Sequence, residues 1–87
     1  MTAALDALQR RRLRWRARRG LLENDIVLTR FLDRHEAALD TDEVQALGRL
    51  LELTDNELLD LLLARAELPA AIDNPETRTL LSQLRSA

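Results

Sequence analysis

Within residues 18–32, RRGLLENDIVLTRFL, four positions have the chemistry of a recognition site: the cation Arg19, the bare backbone of Gly20, and the anions Glu23 and Asp25. A guanidinium is a planar fork that matches carboxylate or phosphate. A carboxylate accepts such forks, or backbone N–H groups, in return. Glu23 follows Gly20 within one helical turn, so a cation, a flat spot and an anion share one small surface. Such a surface suits the binding of a partner. Acidic residues at a helix start also offset the macrodipole, and this folding role competes for both carboxylates. At ~100° per residue from Leu21, Glu23 lies beside Arg30 and Arg34, nearly opposite the apolar side, while Asp25 falls at its margin. Asp25 therefore reads as a folding residue, bonded to a nearby backbone amide or an arginine. Glu23 stays open between the dipole role and recognition.

Other chemistries find little support. The single histidine, His35, has no second histidine and no cysteine to complete a metal site. Without cysteine there is no disulfide and no thiolate nucleophile. Two glycines cannot build a glycine-rich phosphate loop, and no serine, histidine and acid have triad-like spacing. Catalysis by this chain is not expected. The segment RRRLRWRARR, residues 10–19, raises a nucleic-acid reading, since arginines neutralise phosphates and Trp15 can stack on a base. Residues 1–20 hold seven arginines and one acid, net +6, whereas residues 21–87 hold six arginines and fourteen acids, net −8. The whole chain is thus acidic, at −2, and no helix-turn-helix spacing follows the cluster. The cluster reads instead as a solvated helix facing the acidic remainder. Its arginines lie all around the helix, which argues against membrane-surface binding. No apolar run approaches the ~20 residues of a membrane span, and the N-terminus lacks a secretory apolar region.

The elements that position these residues are all helical. Leucine, alanine, glutamate and arginine favour helix, and β-branched residues are few. The 87 residues fit one domain spanning 1–87, all-α, with a core over about 10–85 and only roughly 60% of its unfolded surface buried. The first helix spans about 6–19, with Leu5, Leu8, Arg12 and Trp15 on one face. Gly20 fits the left-handed position just past its end. The second helix spans about 21–38. Leu21, Val27, Leu28, Phe31, Leu32 and Leu39 face the core, and Leu22 and Ile26 form a second apolar contact or an exposed patch. Asp40 or Thr41 caps the third helix, with Glu43 completing a capping box, and Val44, Leu47, Leu50 and Leu51 form its stripe. Thr54 or Asp55 caps the fourth helix, which reaches about Arg65 with Leu58, Leu59, Leu62 and Leu63 inward. Asn74 caps the fifth, Pro75 opens it, and Leu80, Leu81 and Leu84 anchor it. Leu28, Phe31, Leu47, Leu51, Leu62 and Leu81 are the predicted core of a compact five-helix bundle.

WRARRGLLENDIVLTRFL resembles the signature of the succinate dehydrogenase FAD assembly factor family, the bacterial SdhE-like proteins and their mitochondrial relatives. The pattern is an arginine-glycine pair, two residues, a glutamate, and an aspartate two further on: Arg19, Gly20, Glu23 and Asp25. Trp15, five residues before the glycine, also fits, and so does LDTDEVQALGRLLELTDNELLDLLLAR. The chain departs where members often carry tryptophan in the fourth helix, here Leu61 or a neighbouring leucine, and at Glu67, where they often carry glycine. The resemblance implies a cytoplasmic assembly factor, monomeric when free and not itself an enzyme. Its partner would be the flavoprotein subunit of succinate dehydrogenase, and also that of fumarate reductase. It would promote covalent attachment of FAD to a histidine of that subunit. FAD is then the cofactor of the partner, and none is tightly bound here. The family's partner-facing surface maps to Arg19, Gly20 and Glu23, with Asp25 supporting the fold or the rim. The rival from the residues is a small arginine-rich nucleic-acid-binding regulator; the resemblance implies no nucleic acid and no membrane insertion.

Overall fold

The computed structural model describes residues 6–87. Five α-helices run in order: α1 Ala7–Arg16, α2 Leu22–His35, α3 Thr41–Leu51, α4 Asp55–Leu62 and α5 Pro75–Arg85. Short 3₁₀ turns, Glu36–Ala38 and Ala70–Ile72, follow α2 and precede α5. No strand occurs among the described residues. The all-α, five-helix expectation holds. Leu5 of the expected α1 stripe lies outside the described residues.

Side-chain caps start four of the five helices. Asp6, Asp40 and Thr54 each accept from the amide three residues on, and the side chains of Gln9, Glu43 and Glu57 reach back to complete capping boxes. Asn74 Oδ1 accepts from the Thr77 amide at 2.8 Å, with Pro75 in the first helical position. The N-cap of α2 is Leu21, which has no side-chain hydrogen bond to offer. Its first turn depends on residues elsewhere in the bundle.

The core gathers Leu28, Phe31 and Leu32 from α2, Leu47, Leu50 and Leu51 from α3, Leu58 and Leu61 from α4, and Leu80, Leu81 and Leu84 from α5. Five of the six predicted core residues are buried. Leu62 is half-buried at the core's edge, and Leu61 takes the inner place. The expected inward run on α4 is corrected again at Leu63, which is 55% exposed. An eight-residue helix crossing α2 and α5 buries a narrow stripe of Leu58 and Leu61, too narrow for all its leucines.

The end of α4 corrects the expected helix to Arg65. The amide of Ala64 donates to Leu61 O, and that of Arg65 to Asp60 O, which is the Schellman pattern. Ala64 has φ 57°, the only positive φ among the described residues. Gly20, expected in that conformation, does not adopt it. α1 ends before Gly20, at the C-cap Ala17, whose amide donates to Leu13 O. The α1 face is also reassigned. Leu13 and Ala17 are buried, while Leu8 and Trp15 are 48% and 73% exposed. α1 packs on α3 at Gly48, where an added Cβ would stand 3.0 Å from Arg16 Nη2. That close crossing accepts small side chains and an arginine stem, and turns the indole outward.

Candidate functional site

The joint between α1 and α2 lies across the turn between α3 and α4, and one guanidinium fastens the two. Arg19 Nε donates to Asp55 Oδ1 at 2.7 Å, Nη1 to Leu51 O at 2.8 Å, and Nη2 to Leu53 O at 2.6 Å. The last carbonyls of a helix have no intrahelical donor. Arg19 supplies donors for the end of α3, where a cation also suits the dipole. Its side chain is only 11% exposed. Its guanidinium is therefore committed to the fold.

Asp55 gathers the other side of the joint. Its Oδ2 accepts from the amide of Leu21, the N-cap residue of α2, at 3.2 Å, which ties the start of α2 to the start of α4. Asn24 Nδ2 donates to the Asp55 backbone carbonyl at 2.8 Å and lies 3.4 Å from Oδ1. The Arg19 guanidinium holds the Asp55 carboxyl below its ordinary range; burial opposes this, and Asn24 and the Leu21 amide reinforce it. Asn24 is fully buried. Asp25 behaves as the sequence reading expected: its Oδ1 accepts from the Arg19 amide at 3.2 Å.

Sequence reasoning missed Asn24 and used Asp55 only as an alternative cap. A signal existed for Asn24. Steps of ~100° place it between Phe31 and Leu28, inside the apolar sector, and a polar residue there needs a buried partner. Asp55 gave no comparable signal, because its partners lie more than thirty positions away in sequence.

Two members of the motif remain at the surface. Gly20 is exposed, and a Cβ there would meet Asp55 Oδ2 at 3.5 Å, an ordinary contact. Glu23 is exposed and has no hydrogen bond or ion pair among the described residues. Leu22 and Ile26 flank it at 65% and 39% exposure, the exposed-patch alternative of the sequence reading. Glu23 also stands on the wall of a groove of about 510 Å³ between α2, α4 and α5, lined by Val27, Leu59, Leu62, Leu63 and Leu84. The joint thus presents an anion and bare backbone beside apolar surface, on a rigid base. This arrangement can bind and orient a partner. No group of three or more histidine, cysteine or acidic residues could hold a metal ion among the described residues.

Comparison with known proteins agrees with the signature. No solved structure matches the chain significantly. A FAD assembly factor SdhE of Ralstonia nicotianae is 58% identical over 81 residues, covering 93% of this chain and 85% of that protein. One from Acetobacter pasteurianus is 34% identical over 80 residues, covering 91% and 73%. One from Coxiella burnetii is 38% identical over 58 residues, covering 67% and 71%. The family described as the flavinator of succinate dehydrogenase matches residues 11–86, and with the fold and the motif in agreement, the chain belongs to that family.

Proposed function

We propose that this protein is an assembly factor that binds the flavoprotein subunit of succinate dehydrogenase and promotes covalent attachment of FAD to a histidine of that subunit. The observation that carries this reading is the division of labour within the motif. Arg19, Asn24 and Asp25 are spent on the fold, whereas Glu23 projects from the joint with no hydrogen bond or ion pair among the described residues. An exposed anion beside the bare backbone of Gly20 suits docking to a cationic group on a partner. Arg19 and Asp25 then act by holding the surface, and Gly20 and Glu23 by meeting the flavoprotein.

No residue of this chain forms or breaks a bond in this account. The contribution is conformational. Binding selects the arrangement of the flavoprotein in which flavin and acceptor histidine are suitably placed, so that a pre-existing but rare geometry becomes populated. FAD stays the cofactor of the flavoprotein, and this chain holds none tightly. The same surface serves the flavoprotein subunit of fumarate reductase, whose reaction has the same positional requirement. In this reading the protein works as a monomer in the cytoplasm. No helix among the described residues is long and apolar enough to cross a membrane.

The test is covalent flavin incorporation. The apo flavoprotein subunit is incubated with FAD, with and without this protein, denatured, and read by in-gel flavin fluorescence. The reading expects a clear increase in covalent flavin with the protein present. Equal fluorescence in both lanes contradicts it.

A further inference from the structure

We infer that the basic groove along α1 is a second docking surface, and that it takes a carboxylate-bearing segment of the flavoprotein subunit. The inference rests on the functional reading above and extends the surface of Gly20 and Glu23 to the arginines and indole of α1. Arg11, Arg14, Trp15 and Arg18 stand at spacings of three, four and seven, which aligns them along one side of α1 and its continuation. With Asp25 they line a groove of about 270 Å³. The indole is 73% exposed, an unusual position for the chain's only tryptophan. The Arg18 guanidinium carbon lies 5.9 Å from its ring centroid, within cation–π range.

Charge specifies the occupant. Arg14 is neutralised inside the chain by Asp33 and Glu36. Arg11 and Arg18 have no ion pair among the described residues. Like charges along one helix face repel, and no ion pair among the described residues relieves Arg11 or Arg18. A partner's carboxylates would do so, with the indole as an apolar anchor between two guanidinium forks. A phosphate backbone fits less well. It extends beyond a short groove, and outside it would meet the net −8 of residues 21–87, the exposed Asp33 among them. The position of the groove also favours the flavoprotein. Asp25 lines this groove and Glu23 lines the groove between α2, α4 and α5, so the start of α2 borders both. A partner seated on Gly20 and Glu23 reaches both.

The single tryptophan makes the test direct. The protein is prepared with 5-fluorotryptophan, which gives one fluorine resonance, and is titrated with unlabelled apo flavoprotein subunit. Co-elution on size exclusion reports the complex independently. The inference expects the resonance to shift or broaden as the complex forms. The double variant R11E/R18E, altered at two exposed positions, should keep its melting temperature. It should need about tenfold more flavoprotein for half-saturation at low salt and lose most of the salt dependence of binding. An unmoved resonance in a complex that co-elutes overturns the inference and leaves the functional reading standing. Wild-type affinity in the charge-reversed variant also overturns it. An oligonucleotide that moves the resonance at the same concentration, in about 0.15 M salt, overturns it in favour of nucleic acid. Absence of any complex removes the functional reading together with the inference.

Discussion

Arg19 and Glu23 are four residues apart and do opposite work. Arg19→Ala strips the donors from the Leu51 and Leu53 carbonyls, and should destabilise by about 2 kcal/mol. Arg19→Lys should recover only part of that, because an ammonium cannot reproduce a planar fork bonded to three acceptors. Chemical denaturation of the variants measures both. Gly20→Ala should change stability by no more than about 0.5 kcal/mol, since no positive φ is at stake and the new methyl meets an ordinary contact. Any larger effect of that variant on flavin attachment then reports the partner's approach. Asp55 brings a pH dependence. Its carboxyl is held low in the folded protein, so the stability it contributes is present above the ordinary carboxylate range and is lost as pH falls through the lowered value. Glu57, held down by the Thr54 amide and hydroxyl, and Asp73, held down by Arg78, act in the same direction. Melting temperature should therefore fall steeply below about pH 4, and Asp55→Asn should flatten part of that fall. An unchanged slope in the variant would place the acid sensitivity elsewhere.

Helix starts were legible because the signals are local. Asp40 with Glu43, Thr54, and Asn74 with Pro75 all sit where their spacing places them. Helix faces were legible where the apolar stripe was broad, as on α2, α3 and α5. They failed on α1, where the buried pair is Leu13 and Ala17 and the largest apolar side chain is exposed. That outcome depends on Gly48 in a different helix, which no local period encodes. Helix ends were least legible. A left-handed terminal position favours glycine, yet the Schellman turn closes on Ala64 and Gly20 has no positive φ. A Cβ in that conformation is strained. Ala64→Gly should therefore stabilise by about 1 kcal/mol, raising the melting temperature by roughly 4–8 °C. A lower melting temperature would contradict the assignment of this turn.

The bundle as a whole rests on one leucine-rich core with a single aromatic at its centre, Phe31, which is fully buried. Phe31→Ala should cost about 3–5 kcal/mol, a large part of the ~5–15 kcal/mol typical of a domain. Leu61→Ala should cost more than Leu62→Ala, reversing the order that periodicity predicts, because Leu61 is 2% exposed and Leu62 sits at the margin. The exposure of Glu23 was legible from helical phase, but Arg19, expected beside it as the surface cation, has its guanidinium turned into the fold. The braced base beneath it was not, since Asp55 reaches its partners only through tertiary contact. In the proposed function, this base holds Glu23 for the flavoprotein. The most direct measurement compares Glu23→Ala with wild type, at matched limiting concentrations, for in-gel fluorescence of covalently bound flavin. The variant should keep its stability within about 0.5 kcal/mol. It should nevertheless lose most of its ability to promote attachment, since removing one partner of a desolvated charge pair costs about 2–5 kcal/mol of binding. Full flavin attachment supported by a folded Glu23→Ala variant at limiting concentration would contradict the claim.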